Sequence, residues 1–220
     1  MFTEPNPTDR RDAALGAILG ACVGDAAGAK LEFESGDLTA SRVDNAMTLP
    51  GGGCWRVAPG QITDDGELTL SLVRTLSEGG FNLERIARSY ASWFDSSPFD
   101  IGMAIQNALG CCRDRQWASV CERDGYAAAM TQAAALHNRV SKANGSLMRA
   151  TPLGVWGAAI DDQHVAECAI ADSRLSHPNP SCTDAVACYA IAIADADPHP
   201  RRPRSGLHCG RKLRERGWQR

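Results

Sequence analysis

The sequence predicts an all-α fold arranged as a compact orthogonal helical bundle. Three observations carry that prediction. Apolar residues recur at helical spacing through most of the chain, as in Leu68, Leu72, Val73 and Leu76. The helical stretches are punctuated by Gly, Pro, Asn and Asp, and no segment alternates as a half-buried strand does. Aromatic residues make up only 6% while Ala and Gly abound, which favours close helix–helix packing over an aromatic-rich sandwich.

The elements follow in order. Thr8 or Asp9 offers a cap for a first helix, preceded by a Pro-bearing lead-in. Within that helix Gly16, Gly20, Gly24 and Gly28 recur every fourth residue and share a face, which predicts close approach of another backbone or a ligand. The stretch from Ser35 to Gly60, with three glycines at 51–53 and Pro50 and Pro59, reads as a loop. A helix resumes at Asp65 and ends at Gly79–Gly80, and Asn82 caps the next. Pro98 separates that helix from one containing Ile101–Cys112, and residues 125–137 form an Ala-rich helix. Residues 147–157 are ambiguous because Pro152 interrupts them; Asp161 opens another helix, and the Pro178–Pro180 turn leads into the last.

A chain of 220 residues suits one domain with a sizeable core. The formal net charge of −3 gives no whole-chain reason to expect nucleic-acid or membrane binding. The distribution is uneven, because residues 198–220 carry eight Lys/Arg against the single acidic Glu215. We therefore expect a helical domain over 1–197 and a basic, disordered tail over 198–220. The polar N-terminus shows no signal-peptide pattern, and the nine cysteines contain no CxxC pair. Reduced, mostly buried thiols in a soluble cytoplasmic protein are the expectation. The apolar run Ala13–Ala29 is short for a membrane span and includes Asp25.

Three stretches concentrate chemistry: GDAAGAKLEFE (24–34), ITDDGELT (62–69) and KANGSLMRATPLG (142–154). Asp64 and Asp65 stand side by side before a helix, whose N-terminal N–H groups favour ionised carboxylates. With Thr63 they form an all-oxygen set suited to Mg²⁺ or Mn²⁺ rather than zinc. The same triplet also reads as an ordinary N-cap with an acidic first turn. In the Lys142–Ser146 loop, Gly145 permits close backbone approach and Asn144 and Ser146 bring hydrogen-bonding groups. That combination suits a diphosphate, and equally a helix-joining turn.

Together with SPFDIGMAIQNAL (97–109) and DSRLSHPNP (172–180), these motifs resemble the ADP-ribosylglycohydrolase family, from about Ala13 to about Ala194. The family includes the dinitrogenase-reductase-activating enzyme, ADP-ribosylarginine hydrolases and immunity proteins against ADP-ribosylating toxins. The resemblance implies that Thr63, Asp64 and Asp65 serve a two-magnesium centre, with Asp64 also catalytic. It implies that Glu32, with Glu34 as the nearby competitor, is the carboxylate at the metals and the scissile bond. Asp25 is expected to stabilise its turn. Lys142, Asn144, Gly145, Ser146 and Met148 are implied to cradle ADP-ribose, and His177, Phe99 and Asp100 to line the substrate side. Met148 also reads as packing, Arg149 as a structural ion-pair partner, and Phe99–Asp100 as a helix start. The implied reaction is hydrolysis of the bond between ADP-ribose and a protein side chain, arginine first among acceptors, by a monomer.

The sequence also departs from the family. The second acidic motif, of the form GDTDT, is absent, and Asp195-Ala196-Asp197 is too near the 172–180 stretch to replace it. The family fold is accordingly expected to be incomplete at the C-terminus, leaving core faces of several helices uncovered. The composition of 198–220 resembles a frameshifted reading of a GC-rich gene; a nucleic-acid-binding tail is the competing reading. A non-catalytic ADP-ribose-binding or toxin-blocking protein is the alternative to the enzyme.

Overall fold

The computed structural model describes residues 7–196. The expected tail at 198–220, and Asp197 of the Asp-Ala-Asp triplet, lie outside the described residues. Among the described residues there are ten α-helices and no strand, only an isolated bridge between Gly52 and Val57. The all-α expectation holds.

Helix α1 spans Pro7–Leu31 and starts before the expected Thr8 or Asp9 cap. Proline suits a first helical turn because its missing N–H would have no partner there anyway. Helix α2, Ala40–Met47, lies inside the segment expected to be loop. The Thr39 hydroxyl caps it by accepting from the Arg42 N–H at 3.4 Å, a local signal overshadowed by the glycines that follow. Helices α3 (Asp64–Ser77) and α4 (Leu83–Asp95) match the periodic segments, and the Asn82 side chain caps α4 through the Arg85 N–H at 2.9 Å. Helix α5 covers Met103–Leu109 and is followed by a 3-10 turn at Cys111–Arg113. Helix α6, Arg115–Asp124, was not anticipated; Asp114 caps it through the Gln116 N–H. Helices α7 (Tyr126–His137), α8 (Thr151–Gly157), α9 (Asp162–Arg174) and α10 (Pro180–Asp195) complete the set. Pro152 lies in the first turn of α8, where it starts the helix instead of breaking it.

One core joins these helices, with Leu68, Leu72, Ile86, Tyr90, Met130 and Val186 all buried. Helix α10 packs on α8 and α9, α3 on α4, and α7 on α4, α5 and α6, while α1 lies across α3 and α8. The close-packing glycines are not those expected. At Gly16, Gly20, Gly24 and Gly28 an added Cβ would meet nothing within 4 Å, and Leu15, Leu19 and Val23 beside them are exposed. Close packing falls in α8 instead: a Cβ at Gly154 would come within 2.5 Å of Ile193 Cβ, and one at Gly157 within 2.6 Å of Val165 Cγ2. A four-residue glycine period reports a shared face, not what covers it.

By length and composition, Asp9–Leu31 is apolar enough to cross a membrane. In this fold its far end is instead tied to α3 through Asp25, and Ala26, Ala27 and Ala29 are buried. The cysteine expectation needs correction too. Cys112 and Cys121 form a disulfide, while Cys22, Cys54, Cys111, Cys168 and Cys182 are free. Sequence spacing could not bring this pair together, because the turn from the 3-10 segment into α6 was unanticipated.

Candidate active site

The site grows from the junction of α1 and α3. Thr63 has extended backbone and makes no side-chain cap of its own. Asp25, from α1, does that work from a distance. Its Oδ2 accepts from the Thr63 N–H at 2.8 Å and the Gly66 N–H at 2.9 Å, and its Oδ1 accepts from the Thr63 hydroxyl at 2.6 Å. Asp25 therefore stabilises the start of α3, more than the turn in which it sits. Gly66 allows the approach, since a Cβ there would lie 2.7 Å from Asp25 Oδ2. The Thr63 proton is directed at Asp25, so the lone pairs of its oxygen remain the part that can bind a cation.

Asp64 and Asp65 begin α3, Asp64 buried and Asp65 half-buried. Desolvation, then repulsion from Asp100, Asp65, Asp25 and Glu32, pushes the Asp64 carboxyl up to about 7. Asp65 is pushed up to about 6, again chiefly by burial, with Asp25 the leading charged neighbour. Asp100 is raised by burial and by Glu32 and Asp25. Five carboxylates thus share one region and feel one another. Glu67, one turn into α3, stands apart because its carboxylate accepts from Trp93 Nε1 at 2.6 Å.

Glu32 and Glu34 are separated by the backbone. Phe33 between them adopts a left-handed conformation with φ of 56°, uncommon for a bulky residue. Glu34 pairs with Arg42 at 2.5 Å and Lys30 at 3.7 Å, and the Arg42 bond holds it below the usual carboxylate range. Glu32 instead faces the acidic group and accepts from Trp55 Nε1 at 2.9 Å. The two glutamates thus differ in their partners, Glu34 being tied to two cations and Glu32 to a neutral indole. Trp55, which the sequence did not single out, also meets Phe99 edge-on, with centroids 6.2 Å apart. Phe99 and Asp100 thereby join the same mouth.

The 142–149 loop is built differently from its sequence reading. Lys142 and Asn144 are exposed, whereas Gly145 and Ser146 are buried. Ser146 Oγ accepts from Ser173 at 2.9 Å, so its hydroxyl bonds to α9 behind the loop. His177 is 1% exposed, with Nδ1 3.0 Å from Ser176 Oγ, and burial pushes its ring down to about 4. It packs beneath the loop: a Cβ on Gly145 would lie 2.7 Å from His177 Cε1. Met148 is half-buried against the core, and its carbonyl accepts a long 3.5 Å bond from Thr69 of α3. Arg149 is a structural ion-pair residue, fully buried. Its Nε bonds Asp172 at 3.2 Å, its Nη1 bonds the Gly145 carbonyl at 3.0 Å, and its guanidinium lies 4.6 Å from the Tyr90 ring centroid. Asn138, also missed, donates to the carbonyls of Ala104 and Ser176 and so braces α5 against the loop's support. Nothing in a lone Asn or Asp marks such nodes in advance.

The donor chemistry of the acidic group fits a hard divalent cation. It is oxygen-only and rich in carboxylates. Asp64 and Asp65 are raised by burial and by repulsion from their acidic neighbours, a repulsion that a positive ion would relieve. Among the described residues, no three His, Cys, Asp or Glu side chains are gathered into a ready coordination group. The fit therefore rests on donor type and charge rather than on a formed shell.

The ADP-ribosylglycohydrolase family model matches residues 6–207, and the chain belongs to that family. It is 39% identical over 109 residues to the ADP-ribosyl-(dinitrogen reductase) glycohydrolase of Rhodospirillum rubrum, covering 49% of this chain and 36% of that one. It is 36% identical over 111 residues to an ADP-ribosylarginine hydrolase of Pseudomonas putida (strain GB-1), covering 47% and 29% respectively. The matches thus span about a third of these relatives' length, 36% and 29%. A solved structure described as an ADP-ribosylglycohydrolase-related protein complex superimposes with a TM-score of 0.68 at 25% identity, covering 96% of this chain and 65% of that one.

Proposed function

We propose that this chain hydrolyses the glycosidic bond between ADP-ribose and a protein side chain, arginine first among acceptors, around a two-magnesium centre. The observation that carries the reading is the convergence of Asp64, Asp65 and Asp100 with Glu32 at the start of α3, the three aspartates being raised by burial and by repulsion from their acidic neighbours. Family membership and the relatives named for this hydrolysis support it.

Asp64, Asp65 and the Thr63 oxygen would hold the metal. Bound Mg²⁺ or Mn²⁺ would supply Lewis-acid stabilisation of charge developing at the ribose. Glu32, whose Oε2 accepts from the uncharged Trp55 indole, accepts the proton of the attacking water as the water oxygen bonds to C1″. The C1″–N bond breaks with its electron pair passing to the arginine nitrogen, which takes up the proton that Glu32 received from the water. The exposed Lys142 and Asn144 would meet a diphosphate, while behind them Arg149 bonds the Gly145 carbonyl, Ser173 bonds the Ser146 hydroxyl and His177 packs beneath Gly145. The rings of Phe99 and Trp55 border the mouth. A cytoplasmic, monomeric enzyme acting on modified proteins is part of this reading.

Release of ADP-ribose from an ADP-ribosyl-arginine protein tests it. We expect magnesium-dependent release that Asp64→Ala abolishes. A folded chain that releases nothing but still binds ADP-ribose would overturn it in favour of the non-catalytic reading.

A further inference from the structure

We infer that Trp55 is a positioning residue that aims Glu32, an inference that rests on the hydrolase reading above. The whole 49–60 loop is shaped to deliver this one side chain. Gly51, Gly52 and Gly53 all have positive φ, and the Gly52–Val57 bridge closes the loop with N–H···O bonds of 2.7 and 3.0 Å. A Cβ on Gly53 would lie 2.3 Å from the Ala29 carbonyl, so the loop rests directly on the last turn of α1, from which Glu32 emerges. Only glycine allows that approach.

At its tip, Trp55 turns its indole N–H to Glu32 Oε2 at 2.9 Å. Phe99 meets the ring at 62° and fixes its plane from the Asp100 side. Trp55 is 37% exposed and belongs to no part of the hydrophobic core, so packing does not account for it. Its chemistry suits the task. An arginine or lysine would hold the carboxylate equally well but would draw it toward permanent ionisation and weaken it as a base. An indole N–H fixes one oxygen without a counter-charge and leaves the other for the reaction.

The test uses the full chain and two readouts. In a ¹H–¹⁵N spectrum, the Trp55 indole signal is assigned by its loss in Trp55→Phe. Glu32→Gln is expected to move that signal more than those of Trp93, Trp117 and Trp156. In the release assay with magnesium, Trp55→Phe keeps the ring and loses the donor. It is expected to lower kcat by about tenfold, the scale of a lost orienting partner, with KM and melting temperature unchanged. An indole signal indifferent to Glu32→Gln, or a Trp55→Phe variant with wild-type kcat, overturns the inference. A wild-type chain without turnover overturns the hydrolase reading instead, and the spectrum alone then decides the Trp55–Glu32 bond.

Discussion

At Asp64 the fold keeps a carboxyl where ionisation is disfavoured by burial and by four like-charged neighbours. A carboxyl whose folded value is raised binds its proton more tightly folded than unfolded. Its contribution to stability is complete below the unfolded value of 3.8 and is lost as pH rises through about 7. Asp65 adds the same sign up to about 6. Without divalent ions, wild-type protein should therefore melt progressively lower between pH 4 and 7. Asp64→Asn, which removes the charge and keeps the shape, should flatten that slope and melt higher than wild type at pH 7. Thermal melts in chelator across that range check it; equal slopes would show that Asp64 is not under this pressure. Gly145 supplies a second residue-scale test. A methyl group there meets His177 and Ile105 at 2.7 and 3.0 Å, so Gly145→Ala should cost about 1–3 kcal/mol in urea unfolding and displace the loop.

The start of α3 is an element made by its neighbour. Asp25→Ala removes the acceptor of two backbone N–H groups and a threonine hydroxyl. It also removes a like charge from Asp64 and Asp65, which acts in the opposite direction. The lost cap wins, because N–H groups at a covered helix start have no water to replace it. The expected loss is about 2 kcal/mol, measured by denaturant titration. This element also shows what was legible. The Thr-Asp-Asp triplet and the helix behind it could be read locally, because caps and periodicity lie within a few residues. The capping role of Asp25, 38 positions before Thr63, could not be. The same limit explains α2 and α6, whose caps Thr39 and Asp114 were present but outweighed by glycines or weak periodicity. Trp55 also escaped notice, since an aromatic in a glycine-rich loop gains meaning only when the loop lies against α1.

Across the whole molecule, the buried Arg149–Asp172 pair ties the loop to α9 and, through Tyr90, to α4. Arg149→Met would leave Asp172 buried without its cation, a loss of about 3–5 kcal/mol that should lower the single unfolding midpoint rather than melt the loop alone. Calorimetry decides between those outcomes. The family motifs made the 142–149 loop recognisable, but the inward turn of Ser146 and His177 depends on α9, which sequence spacing does not place. The central claim remains the cation-seeking character of the acidic group, and magnesium titration by calorimetry at pH 7, repeated in buffers of different ionisation enthalpy, tests it most directly. Binding should displace protons held by Asp64 and Asp65, giving a heat that changes with the buffer, and Asp64→Asn should lose most of that proton release. Binding without proton release, or none at all to folded wild-type protein with either Mg²⁺ or Mn²⁺, would contradict the account.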